Sequence, residues 1–205
     1  MAEPAVNLTE AQQGTLYQAS CAGGHRAAVA LSRLMGRSVR STNPSAFVVS
    51  ITDIPDFMGD PEGIIVAVYH RLGGDMAGHA CVLLPTESAC SAIQWMVGSP
   101  PDISAGFDEM SRSAICEIGN IVTCSYVGAL ADSTGLTFVP EPPGFALDMV
   151  RSVLQTVIAT AALAADQVLL FETDLAEQNG TFHAYFVVIP EMASLENTIE
   201  ALSME

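Results

Sequence analysis

The sequence predicts an α/β fold of the α+β sandwich type: two intertwined, pseudo-symmetric repeats of helix plus antiparallel strands, sharing one β-sheet with long helices packed on it. Two observations predict it. The order of elements begins again near the middle of the 205-residue chain, and each half offers a long helix, then strands, then a shorter helix after a Leu/Ile-Pro pair. Residues also recur at a fixed shift: moved by 99, Ala30-Leu31 falls on Ala129-Leu130, Gly36 on Gly135 and Pro44 on Pro143. Leu84-Pro85 answers Ile189-Pro190 at a shift of 105, so the second half carries about six extra residues. Sheet-plus-helix repeats of this size bury their apolar faces by folding together. The expectation is one domain over 1–205, with repeats at about 9–98 and 106–203.

Each element has a local reason. Thr9 and Gln12 have the spacing of a capping box, and a helical pattern runs from Glu10 to Met35 with Gly36 as its stop. Ala46–Ile51 reads as a strand and Asp53–Met58 as a short helical turn ending at Gly59. Ile64–Arg71 and His79–Leu84 read as strands around Gly73-Gly74-Asp75, and Thr86–Val97 as a helix stopped by Gly98. A second long helix is expected from Gly106 to Thr134, stopped by Gly135. Leu136–Val139 reads as a short strand, Pro140, Pro142 and Pro143 as a stiff bend, and Gly144–Ala164 as an amphipathic helix with Asp148, Arg151 and Gln155 on its polar side. Gln167–Thr173 and Thr181–Ile189 read as strands around Asn179-Gly180, and Ala193–Leu202 as the last helix.

Composition excludes some functions. Half the residues are apolar, enough for a sizeable core, and only 15% are charged, against roughly 25% in ordinary soluble domains. There are 23 acids against 7 bases, all arginine, for a net charge of −16. Nucleic-acid binding needs a basic footprint and is not expected. An acidic surface of this kind suits a high-salt cytoplasm, although the apolar content does not demand one. Met1–Gln13 is polar and lacks the apolar core of a signal peptide. No run of about 18 apolar residues is present, and the nearest, Val153–Ala165, carries Gln155, Thr156 and Thr160. The five cysteines (21, 81, 90, 116 and 124) are odd in number and lack C-x-x-C spacing, which points to reduced thiols rather than a disulfide frame or a zinc site. A cytoplasmic chain without membrane insertion is the expectation.

The stretch Ser113-Ala-Ile-Cys-Glu-Ile-Gly-Asn120 holds the candidate chemistry. At about 100° per residue, with Asn120 at zero, Ser113 falls near 20°, Cys124 near 40° and Glu117 near 60°. Ile115, Ile118, Val122 and Ala129 fall between about 160° and 220°. One face must be buried, and the other presents a hydroxyl, a carboxylate and a carboxamide in a narrow row. Residues three and four apart are neighbours on a helix, so Glu117 and Asn120 can reach one target together. A solvated polar face is the plainer reading of Glu-x-x-Asn alone. Against it, the 99-residue shift places Gly14, Gln18 and Cys21 opposite Ser113, Glu117 and Asn120, so only the second half keeps the row.

Ser113-x3-Glu117-x2-Asn120 is followed by twenty-two residues and then Pro143. That spacing resembles the signature of the CheC family of chemotaxis phosphatases, which includes CheX and FliY. Glu117-Ile-Gly-Asn120-Ile, Leu130-Ala-Asp-Ser-Thr-Gly135-Leu-Thr, Pro142-Pro143, Gly78-His-Ala-Cys-Val-Leu-Leu-Pro85 and Leu31-Ser-Arg-Leu-Met-Gly36-Arg are also similar to that family, so the likeness covers nearly the whole chain. Length and the two tandem halves fit CheC best within it. The resemblance implies dephosphorylation of the aspartyl phosphate of the response regulator CheY, with Glu117 and Asn120 as the catalytic pair and Ser113 and Pro143 in support. It implies a degenerate first site at Gln18 and Cys21. It also implies a second partner, the receptor deamidase CheD, docking on the element after Pro143 around Asp148. An adaptor that regulates CheD with little or no catalysis is the alternative function.

The residue types suit the chemistry. Phosphoryl transfer needs positioning and charge stabilisation more than covalent help. A carboxamide is neutral, donates and accepts, and does not itself attack. Asn120 would orient the water, and Glu117 would hold the partner's lysine by a charge-assisted contact. No cofactor of the chain's own is expected, the Mg²⁺ being the one in the bound CheY. His79 and His183, six and seven residues before their prolines, are expected to be ordinary strand residues on opposite faces. Arg26 and Arg33 are expected on a solvated face, with a leftover partner-binding stripe as the alternative. A Cys21/His25 hydrolase pair lacks a third residue and an oxyanion hole.

Overall fold

The structure, a computed structural model, describes residues 8–104, 106–160, 166–178, 180–191, 197–198 and 200–202. Two helices of 26 residues dominate it: α1 (Glu10–Met35) and α4 (Glu109–Thr134), displaced in sequence by the same 99 residues. Their ends show why they begin and stop there. Thr9 and Gln12 form the complete capping box on α1, and Asp108 caps α4 by accepting from the Ser111 N–H at 2.8 Å. Gly36 and Gly135 close them at φ 63° and 70°, a left-handed conformation that favours glycine. The strong Asp108 cap explains why α4 starts at Glu109 and not at Gly106.

After α1 come β1 (Arg40–Ser50), a 3₁₀ turn (Ile51–Asp53), the one-turn helix α2 (Ile54–Phe57), β2 (Ile64–Gly73), β3 (Gly78–Pro85) and α3 (Thr86–Val97). After α4 come β4 (Val139–Pro140), β5 (Gly144–Met149), α5 (Val150–Thr160), β6 (Gln167–Glu177) and β7 (Gly180–Pro190). The strands form one antiparallel sheet in the order β1-β6-β7-β3-β2-β4, with β5 also on β2. β3 and β7 sit side by side at its centre, and each half sends its first strand across to the other. β1 pairs with β6 of the second half, and β5 with β2 of the first. Exchanging β1 with β5, β2 with β6 and β3 with β7 maps the sheet onto itself, which is the intertwined arrangement expected.

α1, α3 and α4 cover one face, where Val66, Val68, Val82, Leu84, Leu169, Phe171, Phe186 and Val188 meet Leu31, Ile93, Ile118, Val122 and Tyr126. α2 and α5 cover part of the other, over Ile65, Ala67, Cys81, Leu83, Val168, Leu170 and Val187. α4 is long and apolar enough to cross a membrane, with a mean hydropathy of 1.4, and the sequence reading singles out Val153–Ala165 instead. More than half of that stretch of α4 is buried, so its apolarity serves the core of the fold.

Three expectations change. Residues 144–149 are strand, not helix: the helix begins at Val150, and Asp148 stands on β5. Pairing with β2 overrides a helical pattern there. Phe145 and Leu147 pack toward one sheet face and Ala146 toward the other, the period-2 arrangement of a strand. β1 is longer than Ala46–Ile51 because its N-terminal part pairs with β6 across a register shift between Thr42 and Ser45. His79 and His183 point to the same face, not opposite ones. His79 pairs with Ile189, and His183 lies an even six residues before Ile189 on β7. Asn179, residues 161–165 of the expected fifth helix, and 192–196 and 199 of the expected last one lie outside the described residues. Residues 197–198 and 200–201 are helical.

Candidate active site

The row lies where the helical wheel puts it. Ile115, Ile118 and Val122 are wholly buried and Ala129 nearly so, while Ser113 and Glu117 are exposed. Asn120 is half-buried, less open than a residue opposite the core is expected to be. α4 is seated by Gly119, where a Cβ would lie 2.5 Å from Cβ of Val68; only a glycine lets the helix come this close to β2. Along the same helix Tyr126 packs on Phe171 and Phe186, with ring centroids 5.4 and 5.0 Å away. At the N-terminal end, the Arg112 guanidinium lies 5.5 Å over the Phe145 ring and its Nε donates to the Phe107 carbonyl at 2.9 Å. The helix that carries Glu117 and Asn120 is thus fixed at both ends and in the middle.

Cys124 completes the row. Its Sγ lies 3.7 Å from Oδ1 of Asn120, one turn away. Burial, and then the charge of Glu117, push the Cys124 thiol above its ordinary value, so it carries its proton at neutral pH. The structure therefore joins Glu117, Asn120 and Cys124 on one helix face. The sequence reading leaves Cys124 unused, although its wheel angle falls between those of the other two.

Pro143 is not part of the row. It is exposed in the bend that leads from β4 into β5. The bend is held by β2: the Arg71 carbonyl accepts from the Glu141 N–H at 2.8 Å, and Nδ1 of His70 donates to the Glu141 carbonyl at 2.8 Å. His70 is fully buried and burial pushes its pKa down, so it is the neutral imidazole that makes this contact. It is a second residue the sequence reading misses, because nothing local in β2 points to a bend 71 residues on.

In the first half Gly14 and Gln18 are exposed and Cys21 is half-buried. Cys21 hydrogen-bonds the exposed Tyr17, whose hydroxyl is pushed up by that contact. Arg26 pairs with Asp132 across the α1–α4 interface, so it braces the two long helices. His79 contacts the Tyr69 hydroxyl, and Nδ1 of His183 lies 2.7 Å from Asp174. Asp148 is exposed on β5, accepts from the Met149 N–H at 2.7 Å, and borders a cavity of about 220 Å³ lined by Ala67, Tyr69, Phe145, Val153 and Val157. Among the described residues, no group of three or more His, Cys, Asp or Glu side chains could hold a metal ion.

An antiparallel sheet shared by two crossed-over repeats, with one polar row on a central helix, defines a class that has relatives of known structure. FliY of Thermotoga maritima has this fold, with a TM-score of 0.74 at 18% identity over 97% of this chain and 98% of its own. FliM of H. pylori, in its complex with SpeE, matches at a TM-score of 0.68 and 10% identity over 96% of each chain. The profile of the CheC-like family matches residues 110–147, the stretch that carries the row and the proline bend. The CheY-P phosphatase CheC of Bacillus subtilis (strain 168) is 29% identical over 199 residues, 95% of this chain and 95% of its own. The chain belongs to the CheC family.

Proposed function

We propose that this chain is a chemotaxis phosphatase that removes the phosphoryl group from the aspartyl phosphate of CheY. One observation carries the reading: an exposed carboxylate and a half-buried carboxamide stand one turn apart on a rigidly seated helix, and the pseudo-symmetric positions of α1 lack both groups. Asn120 enters the regulator's site and orients a water in line with the scissile bond. The water oxygen attacks phosphorus, the acyl P–O bond breaks, and the aspartate carboxylate leaves with the bonding pair. A neutral carboxamide does this by position, in the manner of the water-positioning glutamine of GTPases. Glu117 anchors the partner through a lysine, a charge-assisted contact. The Mg²⁺ belongs to the bound CheY. Ser113 stands at the N-terminal end of the row, and Pro143 stiffens the bend behind it.

The test is the decay of phosphorylated CheY with the wild-type chain and with Asn120→Ala. The variant is expected to fold normally and to lose turnover by at least 100-fold, a loss typical of removing a group that acts in the transition state. A folded Asn120→Ala protein with full turnover overturns the reading.

A second reading has its own observation. Exposed Asp148, on an edge strand beside the cavity under α5, offers a surface well away from the row, and binding of CheD there is the adaptor function. Asp148→Lys is expected to weaken CheD capture in a pull-down while sparing dephosphorylation. Undiminished capture removes this surface.

A further inference from the structure

We propose that Cys124 is a positioning residue for Asn120: its thiol donates to Oδ1 and fixes which end of the carboxamide faces the partner. The inference rests on the phosphatase reading of the row. Three features of the site lead to it. The Sγ–Oδ1 separation is 3.7 Å, and the two residues are one helical turn apart. Side chains on a helix lean toward its N-terminus, so a residue at i+4 reaches back over the one at i. Cys124 is exposed on the row and not in the core, so core packing does not account for its place.

Chemistry makes the contact directional. A thiol donates one proton, and a carboxamide oxygen accepts on two lone pairs. A thiolate could not donate to Oδ1, and burial with the neighbouring Glu117 charge keeps the sulfur protonated. Left alone, the terminal torsion of an asparagine is broad, and its oxygen and nitrogen ends exchange places readily. With one lone pair of Oδ1 taken by Cys124, the two ends are no longer equivalent. The second lone pair and the NH₂ group stay available to the water and the partner in one orientation. The residue 99 before Cys124 is His25, and Cys21 stands where Asn120 would be, so the first half has neither member of the pair.

The test compares Cys124→Ala, Cys124→Ser and Asn120→Ala in the full chain, measuring turnover of phosphorylated CheY and affinity for CheY carrying a stable phosphoryl mimic. Cys124→Ala is expected to lower kcat about 3- to 10-fold at unchanged affinity, an effect on the transition state rather than on binding. Cys124→Ser keeps a donor and is expected to return kcat to within about 2-fold of wild type, which a role in packing alone does not explain. The Asn120→Ala/Cys124→Ala double variant is expected to be no slower than Asn120→Ala. Wild-type kcat in Cys124→Ala, or equal loss in the Ala and Ser variants, overturns the positioning role while a dead Asn120→Ala leaves the phosphatase reading in place. Full turnover in a folded Asn120→Ala overturns both.

Discussion

Glu117 and Asn120 are neighbours with different tasks, and their variants should fail differently. Glu117→Ala removes an exposed contact with the partner, so weaker binding to phosphorylated CheY should accompany slower turnover. Titration with the phosphoryl mimic separates the two: affinity should fall for Glu117→Ala and hold for Asn120→Ala. Equal affinities would remove the anchoring role. Gly119, between them, tests the seat of the helix. A Cβ there meets Val68 at 2.5 Å, with β2 behind it. Alanine gains up to about 1 kcal/mol of helix propensity. Overpacking costs about 1–3 kcal/mol. Gly119→Ala should therefore lower the urea midpoint, and Val68→Ala in the same chain should restore part of the loss. A midpoint at or above wild type would show that β2 yields at this crossing.

At the scale of elements, the two long helices have equal length and related caps but unequal faces. Gln18 lacks the charge to grip a lysine, and Cys21 lacks the carboxamide to orient water. Changing both to alanine should leave phosphatase activity within about 3-fold, since exposed and half-exposed substitutions away from a site change little. A loss as deep as that of Asn120→Ala would place the working site on α1. The Arg26–Asp132 pair explains why α1 keeps arginine beside a vanished row: it braces the crossing of α1 and α4. An exposed pair of this kind contributes at most about 1 kcal/mol.

The whole molecule is tied together by its sheet. β1 hydrogen-bonds only β6, and β5 only β2, so each half completes the other's edge. Residues 1–104 and 105–205 expressed separately should each fail to give the dispersed NMR spectrum of a folded protein, and the full chain should unfold in one transition. A folded half would show that its own strands suffice. Stability should also depend on pH through buried histidines. Burial lowers the pKa of His70 and of His79 below the ordinary 6.5. The unfolded chain therefore binds more protons in the window below 6.5, and stability rises with pH through it. The denaturation midpoint should be lower at about pH 5.5 than at about pH 7.5, above the range where carboxylates titrate. His70→Gln should reduce the difference. A midpoint unchanged between the two pH values, or an undiminished slope in the variant, contradicts the account.

By itself the sequence determined what is decided within a few residues. Thr9, Gln12 and the glycines after each long helix act through the backbone groups beside them, so the helix ends were readable. Helical periodicity set the buried side of α4 and therefore the row of Ser113, Glu117 and Asn120. The 99-residue shift even carried the information for β5, since it maps the end of β1 onto residue 149. Only the tertiary structure decided that 144–149 is strand, because its partner is β2, some eighty residues earlier. It also decided that His79 and His183 share a face, through the register of β3 on β7. Likewise, His70 holds the proline bend and the Cys124 thiol meets Asn120 because packing selects one rotamer and one neighbour. Local pattern names the face of an element, and contact between side chains depends on where the rest of the chain has been placed.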